Sequence, residues 1–260
     1  MIYRVVETEA LKNVEKYVEN EYYNCPFLYT NLKKYGLSNP NSILYESCCE
    51  GKIQFVALLY YDCLHLFFHK DISYIDDYTN LIEKLKPRKL FVPLYSEMSL
   101  PELEGYNSKD VLVMAPHKYL DIDVSAVRRA SLSDIPRIAA FMCTEWSDRY
   151  ESVESLCHQL EERIVDNYGR TKYIESNGEI VACVSSYAEL DDFAVCGGLL
   201  VSDSQRGKRL GSVMLKSIYE ELDNEGKKPC GLIVEDYSRI FHEKNGFTIV
   251  GKVLQYNMCV

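Results

Sequence analysis

The sequence predicts an α/β protein built from two tandem, related units, each a mixed, mostly antiparallel sheet flanked by helices. Three observations carry that expectation. β-rich runs alternate with segments of helical period along the whole chain. An Asn177-Gly178 pair joins TKYIES to EIVACVSSYAEL, the strongest short hairpin signal, so neighbouring strands run antiparallel there. The order of elements in the second half then recurs, more loosely, in the first. With 260 residues, 47% of them hydrophobic, the chain is long enough for one or two cores at roughly 100–200 residues per domain.

The second half is the more regular. SLSDIPRIAAFM starts a helix, with Ser131 and Asp134 spaced as a capping pair and Pro136 in the first turn. VESLCHQLEERIV continues as a second helix. The hairpin follows, then the turn Asp191-Asp192 and the strand FAVCGGLLV. From about Gly207 to Asn224, Leu210, Val213, Met214, Leu215, Ile218, Tyr219 and Leu222 line one broad helical face, and Gly226 ends it. CGLIVED is a buried strand, YSRIFHEK a short helix closed by Asn245-Gly246, and FTIVGKVLQYNMCV supplies the last strands.

In the first half, Gly51-Lys52-Ile53 opens a strand as Gly178-Glu179-Ile180 does. DCLHLFFH parallels DFAVCGGLLV, and DDYTNLIEKLK parallels SVMLKSIYEELDN. KLFVPLYS parallels GLIVEDYS, and Glu104-Gly105-Tyr106 parallels Asn245-Gly246-Phe247. The join is expected near Ala115-Pro116-His117, giving domains 1–117 and 118–260.

Composition removes several function classes. A formal net charge of -10 disfavours a nucleic-acid partner, since a phosphate backbone rewards a net basic face. No apolar run approaches the roughly 20 residues a membrane helix needs, and the N-terminus has no continuous apolar signal core. Ten cysteines are scattered without CxxC pairs or metal spacing; they read as reduced, mostly buried thiols of a cytoplasmic protein with no metal site. The sequence says nothing of oligomeric state.

The chemistry-bearing feature is RGKRLG, between the strand FAVCGGLLV and a helix. Amides at a helix start have no intrahelical partner and the helix dipole favours anions there, so a glycine-containing loop at that place is a sensible phosphate cradle. It is neither GxxxxGK[ST] nor GxGxxG, and by itself it stands evenly between an anion site and a basic helix turn. Gly197-Gly198 inside the feeding strand marks a bulge or the close approach of a ligand.

LLVSDSQRGKRLGSVMLKSI resembles motif A of the GNAT superfamily of N-acetyltransferases, whose loop reads (R/Q)xxGx(G/A). IFHEKNGF is similar to that family's LYEKxGF segment, and VRRASLSDIPRIAAF to its opening strand and first helix. The resemblance covers about residues 119–260, and the first half then resembles a degenerate copy. It implies acetyl-CoA as acyl donor and a small-molecule or peptide amine as acceptor. It implies that the amides of Arg206, Gly207, Lys208, Arg209, Leu210, Gly211 and Ser212 hold the pyrophosphate, and that pantetheine pairs with Leu199, Leu200 and Val201 on a strand splayed from its neighbour.

The pattern breaks at three places. The central motif glycine is Arg209, the tyrosine acid is His242, and the usual asparagine at the end of the preceding strand is Glu235. Phosphate binding is expected to survive at Arg209 if its backbone conformation suits a residue with a Cβ. His242 is the candidate general acid for the leaving thiolate, with Glu235 or Glu243 as neighbours that would raise its pKa. Glu189 and Asp191 are candidate bases for the amine, although Asp191-Asp192 also suits a plain turn. Cys196 reads as core, not as a nucleophile. Trp146, Asp148, Tyr150 and Glu151 lie where the family's first helices border the acceptor. A non-catalytic CoA-binding or regulatory module is the competing reading.

Overall fold

A computed structural model describes residues 2–70, 75–95, 102–146, 150 and 152–259, with the side chains of 75–77 left aside. The chain divides into two compact units. Unit 1 comprises Met1–Val113, Ile233–Glu235 and Ile249–Val260, and unit 2 comprises Met114–Leu232 and Asp236–Thr248. The division at Val113/Met114 lies beside the expected join. The final stretch, expected in the second domain, packs in unit 1 instead.

Unit 1 begins with β1 (Ile2–Arg4), α1 (Thr8–Tyr17), α2 (Pro26–Tyr35), β2 (Ser42–Cys49), β3 (Lys52–Tyr60) and β4 (Cys63–Phe67). It continues with α3 (Ile75–Leu85), β5 (Lys89–Pro93) and β6 (Tyr106–Pro116). β1 to β4 form antiparallel pairs, and β4 then pairs with β5 in parallel. Phe55, Leu64, Leu66, Phe68, Leu81 and Leu90 form the centre of its core.

Unit 2 repeats that order. β7 (Arg128–Arg129) and a 3₁₀ turn (Leu132–Asp134) lead into α4 (Ile135–Glu145) and α5 (Val153–Val165). β8 (Thr171–Ser176), β9 (Glu179–Glu189) and β10 (Phe193–Val201) are followed by α6 (Leu210–Asn224), β11 (Lys228–Ile233) and α7 (Asp236–Lys244); the last strand, β12 (Phe247–Met258), belongs from Ile249 on to unit 1. β7 to β10 are antiparallel neighbours and β10 pairs with β11 in parallel, as β4 does with β5.

The local signals act as expected. Ser131 and Asp134 form the capping box. Ser152 caps α5 by accepting from Ser155 N. Asn177 and Gly178 take φ 53° and 82°, the left-handed pair of a type I′ hairpin. Side chains alternate across the sheet: Lys172 reaches Ser217 O on α6, while its neighbour Tyr173 joins the α4–α5 core. Helices therefore cover both faces of unit 2.

The end of the chain differs from expectation. Phe247–Met258 forms one long strand, β12, not several. Gly251 makes no turn there; a Cβ on it would lie 2.5 Å from Tyr23 O, so it serves close backbone packing. β12 pairs antiparallel with β5, from Val253↔Pro93 to Asn257↔Lys89, and lies between β5 and β6. No helix of the described residues is long and apolar enough to cross a membrane.

Candidate functional site

β10 and β11 pair only from Phe193↔Lys228 to Cys196↔Gly231, although β10 runs on to Val201 and β11 to Ile233. Beyond Cys196 the two parallel strands separate. On its other edge β10 stays paired with β9 as far as Val201↔Ala182. The edge of Leu199, Leu200 and Val201 that faces β11 thus presents backbone groups without a ladder.

Two compensating bulges sit at the mouth of this splay. Val195 pairs with Ala188 and Cys196 with Ser186, which leaves Tyr187 as an extra residue on β9. Gly197 pairs with Ser185 and Leu200 with Cys183, which leaves an extra residue on β10. Gly198 there has φ 64°. A Cβ on Gly197 would lie 2.5 Å from Tyr187 Cε2, and one on Gly198 would lie 2.5 Å from the Tyr187 hydroxyl. The glycine pair is therefore required twice, for the backbone turn and for the ring that covers it.

After β10, a 3₁₀ turn (Asp203–Gln205) leads to the basic loop. Gly207 has φ 81° and Arg209 φ 63°, ψ 9°. Arg209 thus holds the left-handed conformation that the family's glycine would take, at a cost of about 1–2 kcal/mol for an L residue. No side chain caps the helix start. Among the described residues, none of the N–H groups of residues 207–212 donates to a backbone carbonyl. Arg206 pairs with Asp203 at 2.7 Å and Lys208 donates to Gln205 Oε1 at 2.7 Å. Gly211 admits the rim of Phe241 from α7: a Cβ there would lie 3.0 Å from its Cζ. Ser212 lines a shallow cleft with Tyr119, Leu120, Lys216 and Asn245, and the Asn245 Oδ1 is buried without a partner.

His242 lies on α7, buried between the edges of Phe241 and Phe247. Its Nδ1 lies 2.7 Å from Ser238 O. A carbonyl only accepts, so Nδ1 carries the proton and Nε2 a lone pair. Burial pushes its pKa down, and the bond to Ser238 only partly offsets this. The expected upward push from Glu235 or Glu243 is absent: Glu243 is engaged by Arg239 at 2.8 Å. His242 is a neutral imidazole at rest.

The structure does not bring the two candidate bases to the splay. Ala194 pairs with Glu189, and Asp191 is exposed in the turn before β10. At about 3.3 Å per residue, that end of β10 lies some 20 Å from Leu200. Glu189 is also fully engaged, accepting from Arg170 Nε and Nη2 at 2.7 and 2.6 Å, Lys227 Nζ at 2.7 Å and Ser186 Oγ at 2.5 Å. Burial alone would raise its pKa, but the bonds from Arg170, Lys227 and Ser186 bring it below the usual carboxylate range. Arg170 further binds Glu221 and Glu225 at 2.5 and 2.6 Å, and Lys172 pairs with Glu221. This buried network ties α6 and its C-terminal turn to the sheet.

Cys196 is buried and its thiol is pushed far up by desolvation, which leaves it without nucleophilic thiolate. Trp146 and Tyr150 pack together, ring centroids 6.4 Å apart, at the edge of the α4–α5 core. Asp148 and Glu151 lie outside the described residues. Among the described residues, no group of three or more His, Cys, Asp or Glu side chains converges as a metal site would.

Residues 136–247 match the model of the Acetyltransferase (GNAT) family. No curated protein matches the chain. Among solved structures, a GNAT-family acetyltransferase from Colwellia psychrerythraea superposes with a TM-score of 0.67 at 12% identity, over 99% of each chain. A GNAT-family acetyltransferase from Novosphingobium aromaticivorans gives 0.57 at 11%, over 90% of this chain and 96% of its own. A tandem GNAT protein of the clavulanic acid biosynthesis pathway gives 0.59 at 11% identity, over 100% of this chain and 98% of its own. At such identities these likenesses speak for the fold, and for its repetition along the chain. The splayed parallel strand pair and the uncapped, glycine-turned helix start that it feeds both lie within residues 136–247, the segment that matches the GNAT acetyltransferase family model.

Proposed function

We propose that unit 2 transfers an acetyl group from acetyl-CoA directly to an amine. The observation that carries this reading is the continuity of an open strand edge with a run of unpaired amides. Leu199, Leu200 and Val201 offer backbone groups where pantetheine would pair. The amides of Gly207, Lys208, Arg209, Leu210, Gly211 and Ser212, at the positive end of α6, suit a pyrophosphate, whereas that of Arg206 already donates to Asp203 O at 3.3 Å. Gly207 supports the fit, because its φ of 81° turns the loop and no atom lies within 4 Å of where a Cβ would stand.

The chemistry follows from these groups. A neutral amine attacks the thioester carbonyl, the C–N bond forms and the C–S bond breaks. A backbone N–H near Leu200 stabilises the charge developing on the carbonyl oxygen. The amine nitrogen loses one proton and the departing sulfur gains one. His242 suits a relay more than a stored acid: its Nε2 is unprotonated at rest, so it gives a proton only after taking one up. Direct transfer needs no acyl-enzyme, consistent with the inert Cys196.

The neutral His242 also favours one competing reading, a CoA-binding module without turnover. Two measurements separate them. Acetyl-CoA at about 100 times its Kd adds about 2.7 kcal/mol of stability, so a thermal shift is expected under both readings. Its absence at millimolar acetyl-CoA removes both. Release of free CoA thiol with an amine panel is expected only from the enzyme.

A further inference from the structure

We infer that Arg163 reads a carboxylate on the acceptor, so that the substrate is an amine that also carries a carboxylate group. This rests on the acetyl-transfer reading above and narrows it. The starting point is the β9 bulge. An extra residue in a strand re-aims its side chain, and here it lays the Tyr187 ring over Gly197 and Gly198, at the mouth of the splay. Arg163, in the last turn of α5, places its guanidinium carbon 4.7 Å from the centre of that ring. Met142 closes the same corner from α4, its Cε lying 3.2 Å from a Cβ position on Gly198.

These three side chains lie on the α4–α5 face of the sheet. The phosphate loop opens α6, which packs on the opposite face, as Lys172 and Tyr173 demonstrate. Arg163 is therefore no partner for the coenzyme's phosphates. On the acetyl-transfer reading it stands at the mouth of the splay on the face away from the phosphate loop, the face left to the amine.

Its bonding makes it a reader and not a strut. Among the described residues the Arg163 guanidinium has no hydrogen bond and no ion pair; stacking on Tyr187 is its one polar engagement. Arg128, Arg129, Arg137, Arg170, Arg206 and Arg239 each have a carboxylate within 4 Å, in a chain of net charge -10. Both Arg163 and Tyr187 are only half-buried, so a solute reaches them. A planar guanidinium held against an aromatic face keeps its forked N–H edge pre-aimed, which suits the two oxygens of a carboxylate. A charge at the helix C-terminus would satisfy the α5 dipole without this stacking.

The test is CoA release with acetyl-CoA and a panel of amino acids, each paired with its amide, plus uncharged amines. The wild-type protein should acetylate at least one amino acid with kcat/KM at least 10-fold above its amide. Arg163→Gln should bring that ratio to about one through KM, leaving the KM for acetyl-CoA and the Tm unchanged. Arg163→Lys should fall between them. A hydrogen-bonded charge pair of this kind corresponds to about 10- to 100-fold. A preference for amides or uncharged amines overturns the inference, as does an unchanged ratio in Arg163→Gln. In either case acetyl transfer itself stands. Absence of turnover with every amine removes the acetyl-transfer reading, and this inference with it.

Discussion

Glu189→Gln distinguishes a structural carboxylate from a catalytic base. The Glu189 side chain is 5% exposed and accepts three charge-assisted bonds, two from Arg170 and one from Lys227. Glutamine keeps the shape but turns an NH₂ toward donors, leaving part of two cations uncompensated. Breaking a buried pair from one side costs about 3–5 kcal/mol. Arg170 keeps Glu221 and Glu225, so the expected loss is at the lower end, about 3 kcal/mol. For a unit of this size, with roughly 4 °C per kcal/mol, the melting temperature should fall by about 10 °C. Turnover measured well below that transition should stay within a factor of two or so of wild type. Calorimetry or urea unfolding gives the first quantity and CoA release the second. If the variant melts where wild type does but loses turnover by two orders of magnitude, Glu189 is a base and the separation argued from the strand register is wrong.

Two further outcomes follow from single positions. Arg209→Gly removes a left-handed strain of about 1–2 kcal/mol while adding about 0.5–1 kcal/mol of backbone entropy to the unfolded chain. Differential scanning should find the variant unchanged or a few degrees more stable, with weaker acetyl-CoA binding if the exposed Arg209 cation reaches phosphate; a lower melting temperature would contradict the strain. In unit 1, burial brings the His65 pKa down to about 4 from an ordinary 6.5. The unfolded chain therefore takes up a proton first as pH falls, and the stability His65 contributes is complete above pH 6.5 and lost between there and pH 4. Relative to pH 8 the loss at pH 5 is about 2 kcal/mol. His65→Phe, which keeps a ring to stack on Phe91, should lessen the slope of stability between pH 8 and 5; an equal slope in both proteins would refute the assignment.

What was legible in the sequence was local. Asn177-Gly178, the Ser131–Asp134 box and the glycines around RGKRLG each act within a few residues, through φ angles and orphan amides that the residue type itself dictates. What escaped was pairing across distance. Arg170 and Glu225 are fifty-five positions apart, and no period links them. The bulge at Tyr187 has no composition signal of its own, since a one-residue slip shows only once both strands are registered. Gly197-Gly198 was its one trace, since the ring packed over the backbone leaves no room for a Cβ at either position and Gly198 also takes a positive φ. The place of β12 was hidden for the same reason: nothing in FTIVGKVLQYNMCV says which strand will be its partner.

The two units share a splay and differ in what meets it. In unit 1, β4 pairs with β5 only from Cys63↔Lys89 to His65↔Phe91, then runs on unpaired as β10 does past Cys196. Three residues past His65, the Phe68 carbonyl accepts from the Tyr95 hydroxyl at 2.7 Å. Three residues past Cys196 stands Leu199, on an edge that no side chain of the described residues closes in this way. A strand edge leaving a sheet must satisfy its polar groups by some means. Unit 1 does so with its own tyrosine, and the sequence after β4 lacks an RGKRLG loop. Unit 2 keeps its edge open and sets the unpaired amides of α6 beside it, at the cost of a left-handed arginine. Repetition of the fold therefore does not imply repetition of the site. The difference lies in one hydroxyl and one loop, and both can be read from the residues.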